Sequence, residues 1–276
     1  MNARFGKLKR NQQTGSKPRC HLLTRGSNEE VAGTLTQLID GWGSVSPDDH
    51  WMPRCFEEVD EAQLDDAPLL VDATRSQALK SWWFAAPRGA QMTPNWDIAS
   101  TCTIKGIEGR KGLLLIEAKA HDAELKNEEA NRPMKAPVTT NSRRNHERIG
   151  ACIRDASLAL TGETKLPWAL NRDWNYQMAN RFTWAWKMTE LGVPVILVYL
   201  GFLRAEEMRK LGTKGKPGAI PFADEAEWKA LVRSHSEPLF PAEVWNQKWT
   251  PHGQTFIPLI RTIEQPLEAP HGEQAA

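Results

Sequence analysis

Apolar and polar positions divide the chain into helical and extended segments. Apolar residues at helical spacing, with capping and terminating residues around them, predict helices over residues 27–43, 74–85, 142–162, 173–192 and 222–235. Apolar runs with β-branched residues predict strands over residues 95–106, 112–121, 193–202 and 254–263. This order of elements predicts an α/β fold in which helices flank a mixed central β-sheet.

Three features predict where the strands lie in that sheet. The glycine-containing stretch 105–112 predicts a tight turn, so that the strands on either side of it form a hairpin. The run 193–202 carries no charged residue and predicts a central strand that is buried on both faces. Pro258 cannot donate a backbone hydrogen bond and predicts an edge position for the last strand. Residues 122–140 are charged and then proline-containing, and they predict a loop.

The two ends of the chain predict segments outside the folded domain. Residues 1–28 contain seven basic residues and no acidic residue, and their apolar positions show no period. They predict a flexible basic arm, which either remains solvated or contacts phosphate groups. Residues 264–276 predict a disordered tail, which leaves residues 29–263 as a single domain.

Composition and charge narrow the class of protein. The 276 residues are 40% apolar and 25% charged, which is ordinary for a globular protein. A net charge of +1 excludes a strong field over the whole molecule, so attraction to nucleic acid would need a local patch. The four cysteines form no CxxC pair, which argues against a structural zinc site and a disulfide framework. Without a signal peptide or a bilayer-spanning apolar run, the sequence predicts a cytoplasmic protein with no membrane segment.

The stretch GLLLIEAKAH, residues 112–121, places charged residues at the end of an otherwise apolar strand. Alternate residues of a strand face the same side, so Glu117 and Lys119 point together. The hairpin brings Asp97 opposite Glu117, where two carboxylates repel each other unless a cation lies between them. Oxygen ligands with room for water suit Mg²⁺ or Mn²⁺, and Lys119 could then orient a water or stabilise charge on a phosphate.

Asp97, followed by Glu117 and Lys119, resembles the PD-(D/E)xK motif of the restriction-endonuclease-like nucleases. The resemblance implies that Asp97 and Glu117 bind the metal and that Lys119 assists the attacking water. It also implies that the backbone carbonyl of Ala118 is a further metal ligand. The proline of the motif corresponds to Pro94, although two residues separate it from Asp97.

The context of this triplet distinguishes it from two others in the chain. The triplet at 124–126 follows no predicted strand, and the one at 227–229 lies in a predicted helix, where residues two apart do not share a face. The triplet at 117–119 alone follows a buried strand and has an aspartate on the preceding strand. A Glu–Lys ion pair at a strand end is the alternative interpretation.

The resemblance further implies a restriction-endonuclease-like core over about residues 74–203. The segment between the motif strand and the next core helix is longer than such a core requires. It predicts a helical insertion at 122–172, and residues 204–263 then form a C-terminal extension.

Several residues outside the motif are candidates for nucleic-acid contact. In the exonuclease branch of the superfamily, a glutamine followed four residues later by a tyrosine lies near the site. Here Gln177 is followed by Arg181, which would either clamp a phosphate or face solvent. Arg143 and Arg144 either contribute to substrate binding or begin a solvated helix. His121 either transfers protons or is a polar residue at a strand end.

Together these residues predict a metal-dependent nuclease that hydrolyses phosphodiester bonds, with DNA as the first choice of substrate and Mg²⁺ or Mn²⁺ as cofactor. The alternatives are a catalytically inactive nucleic-acid-binding or scaffold protein on the same fold, and an RNA nuclease. No GxxxxGK[ST] motif is present, so any ATP-driven partner would be a separate chain. A homodimer would suit cleavage of both strands, although no residue requires one.

Overall fold

The structure, a computed structural model, describes residues 5, 7–87, 93–126, 138–211 and 218–267. The α-helices in these ranges are α1 (Ser16–Leu23), α2 (Asn28–Leu38), α3 (Ala73–Trp83), α4 (Asp122–Lys126), α5 (Thr140–Thr164), α6 (Tyr176–Glu190) and α7 (Glu225–Ser236). The strands are β1 (Gly43–Ser44), β2 (Trp51–Met52), β3 (Ile98–Ile104), β4 (Gly112–Lys119), β5 (Val195–Leu203) and β6 (Phe256–Glu264). Short 3₁₀ helices lie at Arg10–Gln12, Glu206–Leu211, Ala242–Val244 and Pro251–Gly253.

The strands form one mixed sheet with β4 and β5 at its centre. β3 and β4 are the two antiparallel strands of the predicted hairpin, while β4, β5 and β6 run parallel to one another. The short strands β1 and β2 both pair with β3. β6 forms one end of the strand order, which confirms the edge position predicted from Pro258. The mixed α/β architecture and the central position of β5 are likewise confirmed.

Helices cover both faces of the sheet, and alternate residues of β4 contribute to two separate cores. Leu113 and Leu115 pack in a cluster with residues of α3, α5 and α6. Leu114 and Ile116 pack on the other face with residues of α1 and α2. Every residue of β4 is buried, as expected for an inner strand of a sheet covered on both faces. Glu117 continues the row of Leu113 and Leu115, so its side chain faces the α6 side.

The chain direction brings the start of α6 to the end of β4. β5 follows α6 after a short turn that includes Gly192, whose φ of +80° suits glycine. Because β5 runs parallel to β4, α6 runs in the opposite direction across the sheet. The first turns of α6, which carry Gln177 and Arg181, therefore lie beside the charged end of β4.

The prediction of a flexible basic arm over residues 1–28 is wrong for the part that forms α1. Arg19, Cys20 and Leu23 are buried, and Arg19 makes two hydrogen bonds of 2.5 and 2.8 Å to the carboxylate of Glu207. The acidic partner lies 188 residues away, so no local pattern could indicate that this basic segment is neutralised and packed.

Two other predicted irregular segments are partly described. The loop predicted over 122–140 contains α4, whereas residues 127–137 lie outside the described residues. The prediction of a disordered tail is wrong for residues 264–267, because Glu264 ends β6 and Leu267 is buried; residues 268–276 lie outside the described residues. None of the helices in the described ranges has the length and apolar character that a membrane crossing requires.

Candidate active site

The antiparallel register of β3 and β4 brings Asp97 to the end of β4. Ile98 pairs with Ile116, so the residue before Ile98 lies beside Glu117. The carboxylate of Asp97 accepts a hydrogen bond of 2.7 Å from the backbone N–H of Ala118 through Oδ2. The predicted meeting of Asp97 with the Glu-Ala-Lys triplet therefore occurs in the structure.

Glu117 is buried, with 1% of its surface exposed, and both of its carboxylate oxygens accept hydrogen bonds. Oε1 accepts from Nζ of Lys119 at 2.6 Å and from the side-chain amide of Gln177. Oε2 accepts from Nε of Arg181 at 2.6 Å. Two cations and one amide thus compensate for the burial of this carboxylate.

Gln177 connects the two charged residues of the strand. Its amide nitrogen donates to Glu117, and its Oε1 accepts a hydrogen bond of 3.0 Å from Nζ of Lys119. Lys119 is 5% exposed, so its ammonium group is held in place rather than free in solvent. These contacts place Gln177 beside both charged residues of the triplet.

The side chain of Arg181 is buried beside Glu117 and does not face solvent. Besides Glu117, its guanidinium donates to the carbonyl of Asn95 at 2.6 Å and to Oδ1 of Asn180 at 2.9 Å. It also lies over the ring of Trp96, 4.8 Å from the centroid. Of the two predicted alternatives, solvent exposure is therefore wrong, and the contacts that the side chain makes are to protein groups that hold the motif.

Electrostatics at Asp97 favour the protonated form of its carboxyl group. Burial, followed by the negative charges of Glu117 and Glu61, raises the pKa of Asp97 well above its ordinary value, and Lys119 opposes this only in part. Burial acts to lower the pKa of Arg181, but Glu117, Tyr199 and Asp97 together outweigh it and the pKa is raised. A positive charge near Asp97 would stabilise its ionised form.

The oxygen ligands suit a hard divalent cation that keeps several waters. The two carboxylates of Asp97 and Glu117 lie at the end of one strand pair, next to the peptide group of Ala118. Within the described ranges, no group of three or more His, Cys, Asp or Glu side chains lies close enough to hold a metal ion. Mg²⁺ typically takes one or two protein carboxylates and completes its octahedron with water and phosphate oxygens, so this small donor set fits it.

The remaining predicted contact residues lie around the site rather than in it. His121 follows the end of β4, pairs with Pro221 in an isolated bridge, and has Nε2 at 3.9 Å from Oε1 of Glu124. Arg143 and Arg144 are exposed in the first turn of α5, where Arg144 donates to the carbonyl of Ala85 at 3.3 Å. Both arginines are at the surface, and neither has a hydrogen bond or ion pair with Asp97 or Glu117 in the part of the chain that the structure describes.

Sequence reasoning left two neighbours of the site unplaced. Glu61 accepts a hydrogen bond of 3.1 Å from the side chain of Asn95 and forms an ion pair of 2.8 Å with Lys17 of α1. Cys20 of the same helix is buried, and burial first and Asp97 next raise the pKa of its thiol. These contacts join segments that are far apart in the chain, so no local sequence motif predicts them.

Comparisons of this chain with protein-family models, with curated proteins and with solved structures gave no match.

Proposed function

We propose that the chain is a metal-dependent nuclease on a restriction-endonuclease-like core, cleaving phosphodiester bonds in DNA. The observation that carries this proposal is the strand register that sets the Asp97 carboxylate against the peptide of Ala118. On the same strand, the buried Glu117 and Lys119 share Gln177 as a partner. An ordinary ion pair at a strand end would need neither the aspartate nor the glutamine.

Each side chain would have a distinct role. Asp97, Glu117 and the carbonyl of Ala118 would hold Mg²⁺ or Mn²⁺, which supplies charge neutralisation of the phosphate and lowers the pKa of a bound water. Lys119 would hold the attacking water through its ammonium group. Gln177 fixes the direction of that ammonium group through its hydrogen bond of 3.0 Å.

Arg181 would act as a positioning residue. It holds Glu117 through Oε2 and holds the chain before Asp97 through the carbonyl of Asn95. One guanidinium therefore contacts both chain segments that carry the carboxylates. This arrangement replaces the phosphate clamp as the reason for an arginine at this position.

A cleavage assay with isosteric variants tests the proposal. The parent protein should cut labelled DNA with Mg²⁺ and stop in EDTA, whereas Asp97→Asn and Lys119→Met should retain the fold by circular dichroism and lose at least about 100-fold in rate. Equal cleavage by the parent and Asp97→Asn would contradict the assignment. The same assay with RNA of matched sequence separates the RNA nuclease from the DNA nuclease.

A second candidate is a nucleic-acid-binding protein on the same fold that does not cleave. One observation favours it: both oxygens of Glu117 already accept hydrogen bonds from Lys119, Gln177 and Arg181. A protein that no longer needs a metal would retain such a closed network. This candidate predicts DNA binding of equal affinity in Mg²⁺ and in EDTA, without cleavage in either.

A further inference from the structure

Trp174 differs from the other tryptophans of the chain because its side chain is exposed. Its surface is 57% exposed, whereas the other eleven tryptophans are buried or half-buried. A large aromatic ring left in water removes favourable burial from the folded state. Its exposure therefore indicates a surface on which another flat group can stack.

Hydrogen bonds hold the backbone that carries Trp174. The side chain of Asn171 accepts hydrogen bonds from the backbone N–H groups of Asp173 at 3.0 Å and Trp174 at 2.7 Å. The next residue, Asn175, adopts a left-handed conformation with φ of 47° and donates from its side chain to the carbonyl of His235 at 2.5 Å. A ring on a loop held in this way loses little conformational entropy when a ligand stacks on it.

Arg172, two residues before Trp174 in the chain, has its guanidinium group against α5, and its Nε also forms an ion pair of 3.2 Å with Asp173. Arg172 donates to the carbonyl of His146 at 3.2 Å, so it lies against the first half of α5. A methyl group on Gly150 would lie 3.1 Å from Nη1 of Arg172 and 3.5 Å from Nη1 of Arg154. The two guanidinium groups therefore meet over a helix position that has no side chain. Residues 143–155 of α5 carry four arginines against two acidic residues.

The ring is also close to the candidate active site. Trp174 precedes Gln177 by three residues, and Gln177 contacts both Glu117 and Lys119. Three residues span at most about 11 Å between Cα atoms. That distance corresponds to about three nucleotides at the rise of about 3.4 Å that each strand has in a duplex.

From these observations we infer that Trp174, together with Arg172 and Arg154, forms a binding site for single-stranded DNA that leads to the motif residues. The indole ring stacks on an unpaired base, and the two guanidinium groups contact the phosphates on either side. A paired base in a duplex hides its face, so the site distinguishes single strands from duplexes. This inference takes its substrate from the proposed function, but binding can be measured without cleavage.

Fluorescence anisotropy of a labelled oligothymidylate in EDTA, compared with a duplex of equal length, tests this site. Trp174→Ala should weaken binding of the single strand about 5- to 100-fold and of the duplex by less than about twofold. Trp174→Phe should retain most of the affinity because it keeps an aromatic face. Leu69→Ala, a truncation of another exposed apolar residue at 60% exposure, serves as the control and should change neither affinity.

Arginine variants test the phosphate contacts separately. Arg172→Gln and Arg154→Gln should each weaken the binding of the single strand and reduce the slope of log affinity against log salt. If Trp174→Ala binds the oligothymidylate as tightly as the parent, or if the parent does not bind it, the inference is wrong. If Trp174→Ala loses affinity but the parent never cleaves DNA, the binding site is supported and the nuclease proposal is wrong.

Discussion

Arg181 donates a hydrogen bond from Nε to Oε2 of Glu117 over 2.6 Å, and both side chains are almost completely buried. The pair joins the first half of α6 to the end of β4. Since Arg181 also donates to the carbonyl of Asn95, it fixes the strand that carries Asp97 as well. This guanidinium group therefore links both chain segments that carry the candidate carboxylates, whose relative position is set by the register of β3 and β4.

Replacing Arg181 should therefore cost stability. In Arg181→Met, Glu117 loses a buried partner, and we expect the free energy of unfolding in urea to fall by about 3–5 kcal/mol. The double variant Arg181→Met with Glu117→Gln should recover part of this loss, because the uncompensated charge is gone. Arg204→Ala, which breaks the exposed pair with Glu264, should change stability by less than about 1 kcal/mol. Equal stability of Arg181→Met and the parent would contradict the account.

The raised pKa of Asp97 predicts a pH dependence of stability. The folded protein binds the Asp97 proton more tightly than the unfolded chain does, so this stabilisation is present below the ordinary carboxyl pKa and is lost as pH rises toward the raised value. The Asp97→Asn variant has no carboxyl group at this position, so its stability lacks this pH-dependent contribution. In metal-free urea titrations from about pH 4 to about pH 8, the variant should become more stable relative to the parent as pH rises. A difference that stays constant over this range would contradict the shift.

Gln177 should affect catalysis more than stability. Gln177→Leu removes the shared partner of Glu117 and Lys119, and we expect the cleavage rate to fall about 10- to 100-fold, the usual effect of removing a residue that orients metal ligands. The pH profile of the rate should also change, because the environment of Lys119 changes. Gln77→Leu, at an exposed glutamine of α3, is the control. A parental rate and pH profile in Gln177→Leu would show that this contact has no role.

The helix α1 should contribute to folding. Arg19→Ala removes two charge-assisted hydrogen bonds to Glu207, and we expect the free energy of unfolding to fall by about 1.5–3 kcal/mol. Arg25→Ala, at an exposed arginine of the same basic segment, should remain within about 0.5 kcal/mol of the parent. If both variants are as stable as the parent, residues 16–23 behave as the flexible arm that the sequence predicted.

The predictions that succeeded rest on short-range patterns. The apolar run before Glu117 and the turn glycines identified the hairpin, and the hairpin register alone brings Asp97 to Glu117. The four-residue spacing of Gln177 and Arg181 puts both on one helix face, and both contact Glu117.

The predictions that failed depend on contacts between distant segments. Arg181 is separated by 64 residues from Glu117 and by 86 residues from Asn95, so the sequence could not distinguish a buried partner from a surface arginine. In the same way, the basic composition around Arg19 indicated an exposed arm, because its acidic partner Glu207 lies in the last third of the chain. A local sequence pattern cannot show that a charged residue is paired with a residue far away in the chain.

Calorimetric titration with Mn²⁺ tests the central claim most directly, because it measures whether Asp97 and Glu117 hold a cation without requiring any substrate. The account predicts that the parent takes up the ion with a measurable heat and that Asp97→Asn takes up none under the same conditions. A parent protein that binds no Mn²⁺, or an Asp97→Asn variant that binds it as tightly as the parent, would contradict the account.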